Sequence, residues 1–394
     1  MVFQVIDDKK ECLGYFSNGK IRFQKPNNTL TSTWDWSSSI KDLDVQLAKI
    51  YVNGKNISDA CPEHLKMRWE THEKRIKAHV RSFINSGVRI SDVCFYDLVP
   101  ERHVAHYYET LNEITEWILE NHERPTHYRL LHDTTIMCKE IGEQEVRVNW
   151  PLLKKHSRTD QKAFHIAQKY WEQRVSVRYN PYGTVTGRLG LEEGSFPILN
   201  FKKEIRDVIV PKWDGFVELD FNGAELRTLL HLSGHPQPTG DIHDFNQTSI
   251  FDDNISRADA KTKIFAWLYN PTSTAVDTEY YDKTKVLEEY YAEGVVTTPF
   301  GRTIPSDDFH ALNYLIQSTS SDNFLDRANI IHRFCRNLRT NVAFLMHDSI
   351  ILDMHATERD ELKRIIQLFS NTKLGEFKVN VSMGRTLGSM EKIQ

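Results

Sequence analysis

Two acidic residues stand where apolar strand patterns end. FVELDF, residues 216–221, carries Asp220 near the end of a run that otherwise reads as buried strand. FLMHDSIIL carries Asp348 between two apolar runs. A carboxylate in such a setting must be solvated, paired or bound to a cation. Two of them on adjacent strand ends could hold hard divalent cations through oxygen. Each Asp taken alone is more often a turn or capping residue, so the chemistry depends on what surrounds them. One such segment is SRADAKTKIFAWLY, 256–269. Read as a helix, it brings Arg257, Lys261, Phe265 and Tyr269 onto one slowly drifting face at intervals of four. Arg grips phosphate oxygens with a fixed fork, and Lys offers a compact charge. The two aromatics that follow suit a base or a sugar. An ordinary amphipathic helix with an exposed basic end would carry the same residues.

The elements that must position these residues come from hydrophobic periodicity. After residue 196, FVELDF reads as a strand and NGAELRTLLHLSG runs straight into a helix. Helical stretches follow at about 256–269 and from about Asp308 to Leu338, the latter with an expected interruption at the polar run STSSD. NVAFLMHDSIILDM reads as two short strands around a tight turn at His347-Asp348. ERDELKRIIQLFS is an amphipathic helix, and FKVNVSM is the last strand by strict alternation. This order describes an α+β sheet domain with a helical insertion near 245–300. Upstream, PEHLKMRWETHEKRIKAHVRSFIN reads as a helix with Leu65, Trp69, His72, Ile76, His79 and Phe83 at helical spacing. Further helices are expected over roughly 100–122 and 159–178. Residues 1–60 read as a small β-rich or mixed element. FSNGK is a turn between MVFQVI and KIRFQ, and LAKIYVNGKNI a hairpin bending at Asn53-Gly54.

Composition sets the outer bounds. With 394 residues, 40% hydrophobic and 26% charged, the chain is neither disordered nor collagen-like. Lys plus Arg is 50 and Asp plus Glu is 54, a net charge of −4, which excludes a general nucleic-acid coat but not an enzyme with one basic face. Cys12, Cys61, Cys94, Cys138 and Cys335 form no paired metal spacing, and the odd count favours buried thiols in a reducing compartment. MVFQVIDDKK reaches charged residues too early for a signal peptide, and no apolar run approaches the roughly 18 residues that cross a bilayer. The expectation is a soluble, intracellular protein without a membrane partner.

From about Tyr179 onward the chain resembles the polymerase portion of the family A, bacterial polymerase I type, DNA polymerases. The resemblance rests on TVTGRLG, FPILNFKKEIRDVIVP, DFNGAELRTLLHLSG with the DIH of Asp241-Ile242-His243, the Arg257-Lys261-Phe265-Tyr269 face, GRTIPSDDFHALNYLIQSTSSD, and MHDSI. These segments occur in the family's order. The resemblance implies a right-hand polymerase with an antiparallel-sheet palm, a helical thumb and reduced fingers. It implies template-directed extension of a primer 3′-hydroxyl with dNTPs by two-metal phosphoryl transfer. Asp220 and Asp348 would be the metal ligands for two Mg²⁺ ions, with Mn²⁺ able to substitute. Arg257 and Lys261 would meet the polyphosphate, with Lys261 also a proton donor to the leaving group, and His243 would assist. Glu225 would exclude a ribose hydroxyl, Phe265 would pack near the sugar, and Tyr269 would support the pocket at the template base. Arg188, Asn200, Arg206, Arg227, Asn313, Gln317 and His347 would contact DNA or support the pocket.

Departures from the family pattern shape the remaining expectations. Ser349 stands in place of the usual acidic residue after the second His-Asp, and Asn270 in place of the common Gly after the fingers tyrosine. Leu387 lies where the family carries a Trp. The expected division is 1–61 accessory element, 62–178 thumb-like helices, 179–250 first part of the palm, 251–300 reduced fingers and 301–394 second part of the palm. The chain is expected to act as a monomeric catalytic subunit on primer-template DNA. It should lack an intrinsic proofreading exonuclease, so that proofreading lies in another chain and processivity depends on a separate protein. The compact layout suggests a viral replication protein working in the cytoplasm of a bacterial host, with an organelle as the other setting. The alternatives are a single-subunit RNA polymerase-like enzyme, disfavoured by Glu225 and Phe265, and a degenerate DNA-binding replisome subunit.

Overall fold

A computed structural model of the chain describes residues 1–9, 11–270, 272–276 and 278–393. Lys10 of the N-terminal segment and Pro271 and Asp277 of the expected insertion lie outside them. The chain divides into two compact units, Met1–Lys139 and Glu140–Gln394.

In the first unit, Gln4–Asp7, Gly14–Ser17 and Lys20–Arg22 form an antiparallel three-stranded sheet. Asn18 and Gly19 make the expected FSNGK turn, both with left-handed backbone (φ 50° and 71°). Ile6, Phe16, Trp34 and Ala48 share one core with Leu65, Trp69 and Ile76 of the helix Glu63–Asn85 and with Leu111 and Ile114 of the helix Glu101–Asn121. The expected hairpin at Asn53-Gly54 is instead a helical turn, Ala48–Tyr51, because Leu47, Ala48 and Ile50 all turn inward rather than alternate. The expectation of reduced thiols throughout also needs correction. Cys12 and Cys94, 82 residues apart, are joined in a disulfide with Cα atoms 5.4 Å apart, while Cys335 is a buried thiol.

The second unit begins within the expected thumb region. Val148 bridges Ile209, and Val146 N–H donates to the Val175 carbonyl, so the chain from 140 onward is stitched to the segments that lead into the central sheet. The central elements are β1 (Gly215–Phe221), α1 (Ala224–Leu232), α2 (Ile242–Phe251), α3 (Arg257–Leu268), α4 (Lys283–Tyr290), α5 (Ala311–Cys335), β2 (Asn341–Met346), β3 (Ser349–Met354), α6 (Glu361–Ser370), β4 (Val379–Gly384) and β5 (Glu391–Lys392). The strands form one antiparallel sheet in the order β2-β3-β1-β4-β5. β5 had no sequence signal, being two charged residues.

Val217, Leu219 and Phe221 form one buried face of β1, and Glu218 and Asp220 lie on the opposite face beyond Phe216, which is buried at the start of the strand. The ring of Phe221 stacks on Phe369 of α6 at 4.0 Å, which fixes the strand end beside Asp220. The expected interruption of α5 at STSSD does not occur. Ser318, Thr319, Ser320, Ser321 and Asp322 are all buried within one continuous helix. Asp322 takes two bonds from the buried Arg302 guanidinium, at 2.6 Å (Nη2) and 3.0 Å (Nε). That guanidinium lies so close to Gly187 of TGRLG that a Cβ there would sit 2.5 Å from Arg302 Nη2. Among the described residues no helix is long and apolar enough to cross a membrane.

Candidate active site

Asp220 lies opposite Ser349 of β3 and Asn380 of β4 in the ladder. Met346 pairs with Ser349, so His347 and Asp348 form a two-residue turn and Asp348 directly precedes the residue facing Asp220. His347 adopts φ 57° and is exposed. Burial raises the Asp220 carboxyl to about 6; the Asn380 amide, donating at 3.2 Å, opposes the rise, and the charges of Glu218 and Asp348 add to it. Burial also raises Asp348, with Arg188 opposing and Glu225 adding to the effect. The strand ends therefore gather acids that hinder one another's ionisation, an arrangement a hard cation relieves through carboxylate oxygens.

Glu218 is a member of this group that sequence reasoning passed over. Its Oε1 accepts from Ser349 Oγ at 3.1 Å. Its i, i+2 relation to Asp220 in a strand was the available signal. Among the described residues no group of three or more His, Cys, Asp and Glu forms a complete metal cage. A Mg²⁺-type site needs none, since that ion is commonly held by one or two carboxylates and completed by phosphates and water. The residues present fit that pattern.

Behind the sheet end, Gly223 starts α1 with φ 64°, and a Cβ there would lie 2.4 Å from Ile242 Cγ2. This close approach sets Glu225 in the first turn of α1 near the start of α2. Glu225 is buried, takes a 2.5 Å bond from Arg188 Nη2 and accepts the hydroxyl of Tyr269. Along α3, Phe265 stands 6.0 Å from His243 and 6.1 Å from Tyr269, ring centre to ring centre. Burial lowers the His243 imidazole, and the nearby charge of Lys261 lowers it further. Asp241 caps α2 through the His243 N–H at 2.8 Å and takes Arg257 Nη2 at 2.8 Å; Asp244 takes Arg257 Nε at 2.6 Å. Arg188, Glu225, His243, Arg257, Lys261, Phe265 and Tyr269 therefore belong to one connected set, and the fields of Arg188 and Glu225 reach Asp348.

Other sequence candidates stand apart. Arg227 is fully buried and bonds the carbonyls of Asn222 (2.8 Å), Pro238 (2.9 Å) and Gly240 (2.6 Å). Bonded in this way, Arg227 pins the loop that ends at Gly240. Arg206 is half-buried with Nε on the Phe201 carbonyl at 3.1 Å, and Asn200 is exposed. Asn313 and Gln317 are half-buried, one helical turn apart on α5. No hydrogen bond among the described residues ties Asn200, Asn313 or Gln317 to the acids or to Tyr269.

No protein-family model matches the chain. Among curated proteins, DNA polymerase I of Chloroflexus aurantiacus is 25% identical over 271 residues, 55% of this chain but 28% of that polymerase's length. Among solved structures, the POL domain of Pol1 from M. smegmatis, in complex with DNA primer-template and dNTP, superposes with a TM-score of 0.58. That match has 14% identity and covers 73% of this chain and 76% of that one. The chain is a distant, divergent relative of the polymerase I type DNA polymerases over part of its length, and it has the mixed α+β fold of their catalytic domain.

Proposed function

We propose that this chain is a template-directed DNA polymerase that adds dNTPs to a primer 3′-hydroxyl. The observation that carries the reading is the pairing of β1 with β3, which sets Asp220 beside Asp348 at one sheet end, with Arg188 and Glu225 joining that end to the cationic and aromatic face of α3. Bound divalent ions would supply Lewis acidity at the 3′-hydroxyl and charge neutralisation at the polyphosphate. Asp220 and Asp348 would hold them. Arg257 and Lys261 would bind the triphosphate; as the 3′-oxygen bonds the α-phosphorus, its proton would pass to solvent, the α–β P–O bond would break, and Lys261 would give a proton to the departing pyrophosphate. Glu225, fixed by Arg188 and Tyr269, would leave no polar partner for a ribose 2′-hydroxyl and so favour deoxynucleotides. The segment 251–300, with α3 and, among the described residues, one further helix, α4, reads as reduced fingers.

Primer extension on a short primed template with Mg²⁺ tests the reading. Wild type should extend with dNTPs, and Asp220→Asn or Asp348→Asn should lose about a hundredfold to a thousandfold in rate. Equal activity in the variants would refute the assignment, and a preference for rNTPs would move it to the RNA polymerase-like alternative.

A further inference from the structure

The cation assigned to the triphosphate is already engaged. Arg257 Nε and Nη2 reach Asp244 and Asp241 in two separate charge-assisted bonds. Neither acid is stranded if the guanidinium leaves. Asp241 keeps the backbone N–H of His243 on Oδ1 and the Asn222 amide on Oδ2 at 2.8 Å. Burial would raise the Asp241 carboxyl, but those donors and Arg257 outweigh it and hold it near 2. Asp244 is 63% exposed, so water replaces its partner. The arrangement thus has a fixed half and a releasing half.

We propose that Asp241 and Asp244 form a latch that occupies Arg257 in the nucleotide-free protein and yields it to a polyphosphate. This rests on the polymerase reading of the same site. The carboxylate pair and the ligand compete for one planar fork, so a successful ligand must offer at least two suitably spaced anionic oxygens. A nucleoside triphosphate presents such oxygens on neighbouring phosphates. The latch is therefore a rest position for the Arg257 guanidinium.

Asp244→Asn keeps the shape and removes the releasing charge. On a dideoxy-terminated primer-template with Mg²⁺, it should bind the next complementary dNTP about twofold to fivefold more tightly, the range an exposed ion pair spans. On an extendable primer the gain should fall on KM rather than kcat. In an Arg257→Gln background, Asp244→Asn should add nothing; an undiminished gain there would show direct repulsion of nucleotide and overturn the latch. Unchanged or weaker binding by Asp244→Asn, with Arg257→Gln weakening binding, would overturn the latch alone. Arg257→Gln without effect on dNTP binding would overturn the polymerase assignment of this helix as well.

Discussion

Replacing Asp220 by Asn should make the metal-free protein more stable while ending its catalysis. An Asp ionises near 3.8 in the unfolded chain, whereas burial and the neighbouring acids raise Asp220 to about 6 in the fold. At about 1.4 kcal/mol per pH unit, that difference weakens the folded state by about 3 kcal/mol once both states are ionised. The sign follows from proton counts. Below pH 4 the carboxyl is neutral in both states and exerts no penalty. Between 4 and 6 the folded state holds the extra proton, so stability falls as pH rises; above 6 the full penalty remains. Urea unfolding in a chelator from pH 4 to 8 should therefore show a decline in wild type that Asp220→Asn lacks, with the variant about 2–3 kcal/mol more stable at pH 8. Mg²⁺ should raise wild-type stability and leave the variant almost unmoved. A variant that is less stable than wild type at pH 8 in chelator, or that shows the same pH slope, would refute the account of a strained acid pair awaiting a cation.

Three further outcomes follow from named contacts. Asp322→Asn leaves the Arg302 guanidinium buried without its charge partner and should destabilise by about 3–5 kcal/mol in urea melts, with an Arg302→Met, Asp322→Leu double replacement recovering most of the loss. Gly223→Ala forces a Cβ into Ile242 at a left-handed backbone position and should lower stability by about 1–3 kcal/mol by thermal unfolding; a neutral result would mean the α1–α2 approach can relax. Arg227→Lys should lose about 2–4 kcal/mol of stability while leaving the salt dependence of primer-template binding unchanged, since its donors end on carbonyls. A fall of about one in the slope of log K against log salt would show Arg227 to be a phosphate contact.

Local patterns made some of this architecture readable. FVELDF, the two-residue turn at His347-Asp348 and the four-residue spacing along α3 are short-range signals, and the observed elements follow them closely. The connection of Asp220 to Asp348 is a matter of strand register across 128 positions, which the pattern of either segment leaves open. STSSD looked like a break because small polar residues compete for backbone hydrogen bonds. Inside α5 the residue that matters is Asp322, whose buried partner Arg302 lies twenty positions upstream. The bonds of Arg227 are not legible locally, because its partners come from the 237–240 loop that closes around it. The Cys12–Cys94 bond and the shared core of residues 1–61 with the long helices are likewise products of tertiary proximity.

The hydroxyl of Ser349 resting on Glu218 has a bearing on how such a sheet can drift over generations. Because neighbouring strands present their side chains to a common face, an anion lost from one strand can be supplied by the next without moving the backbone. Residue 349 itself carries no charge, yet Glu218 and Asp220 keep two carboxylates on the face it shares with them. For chains this far from their relatives, tallying charge over a surface is a sounder guide to surviving chemistry than tallying matches along a line.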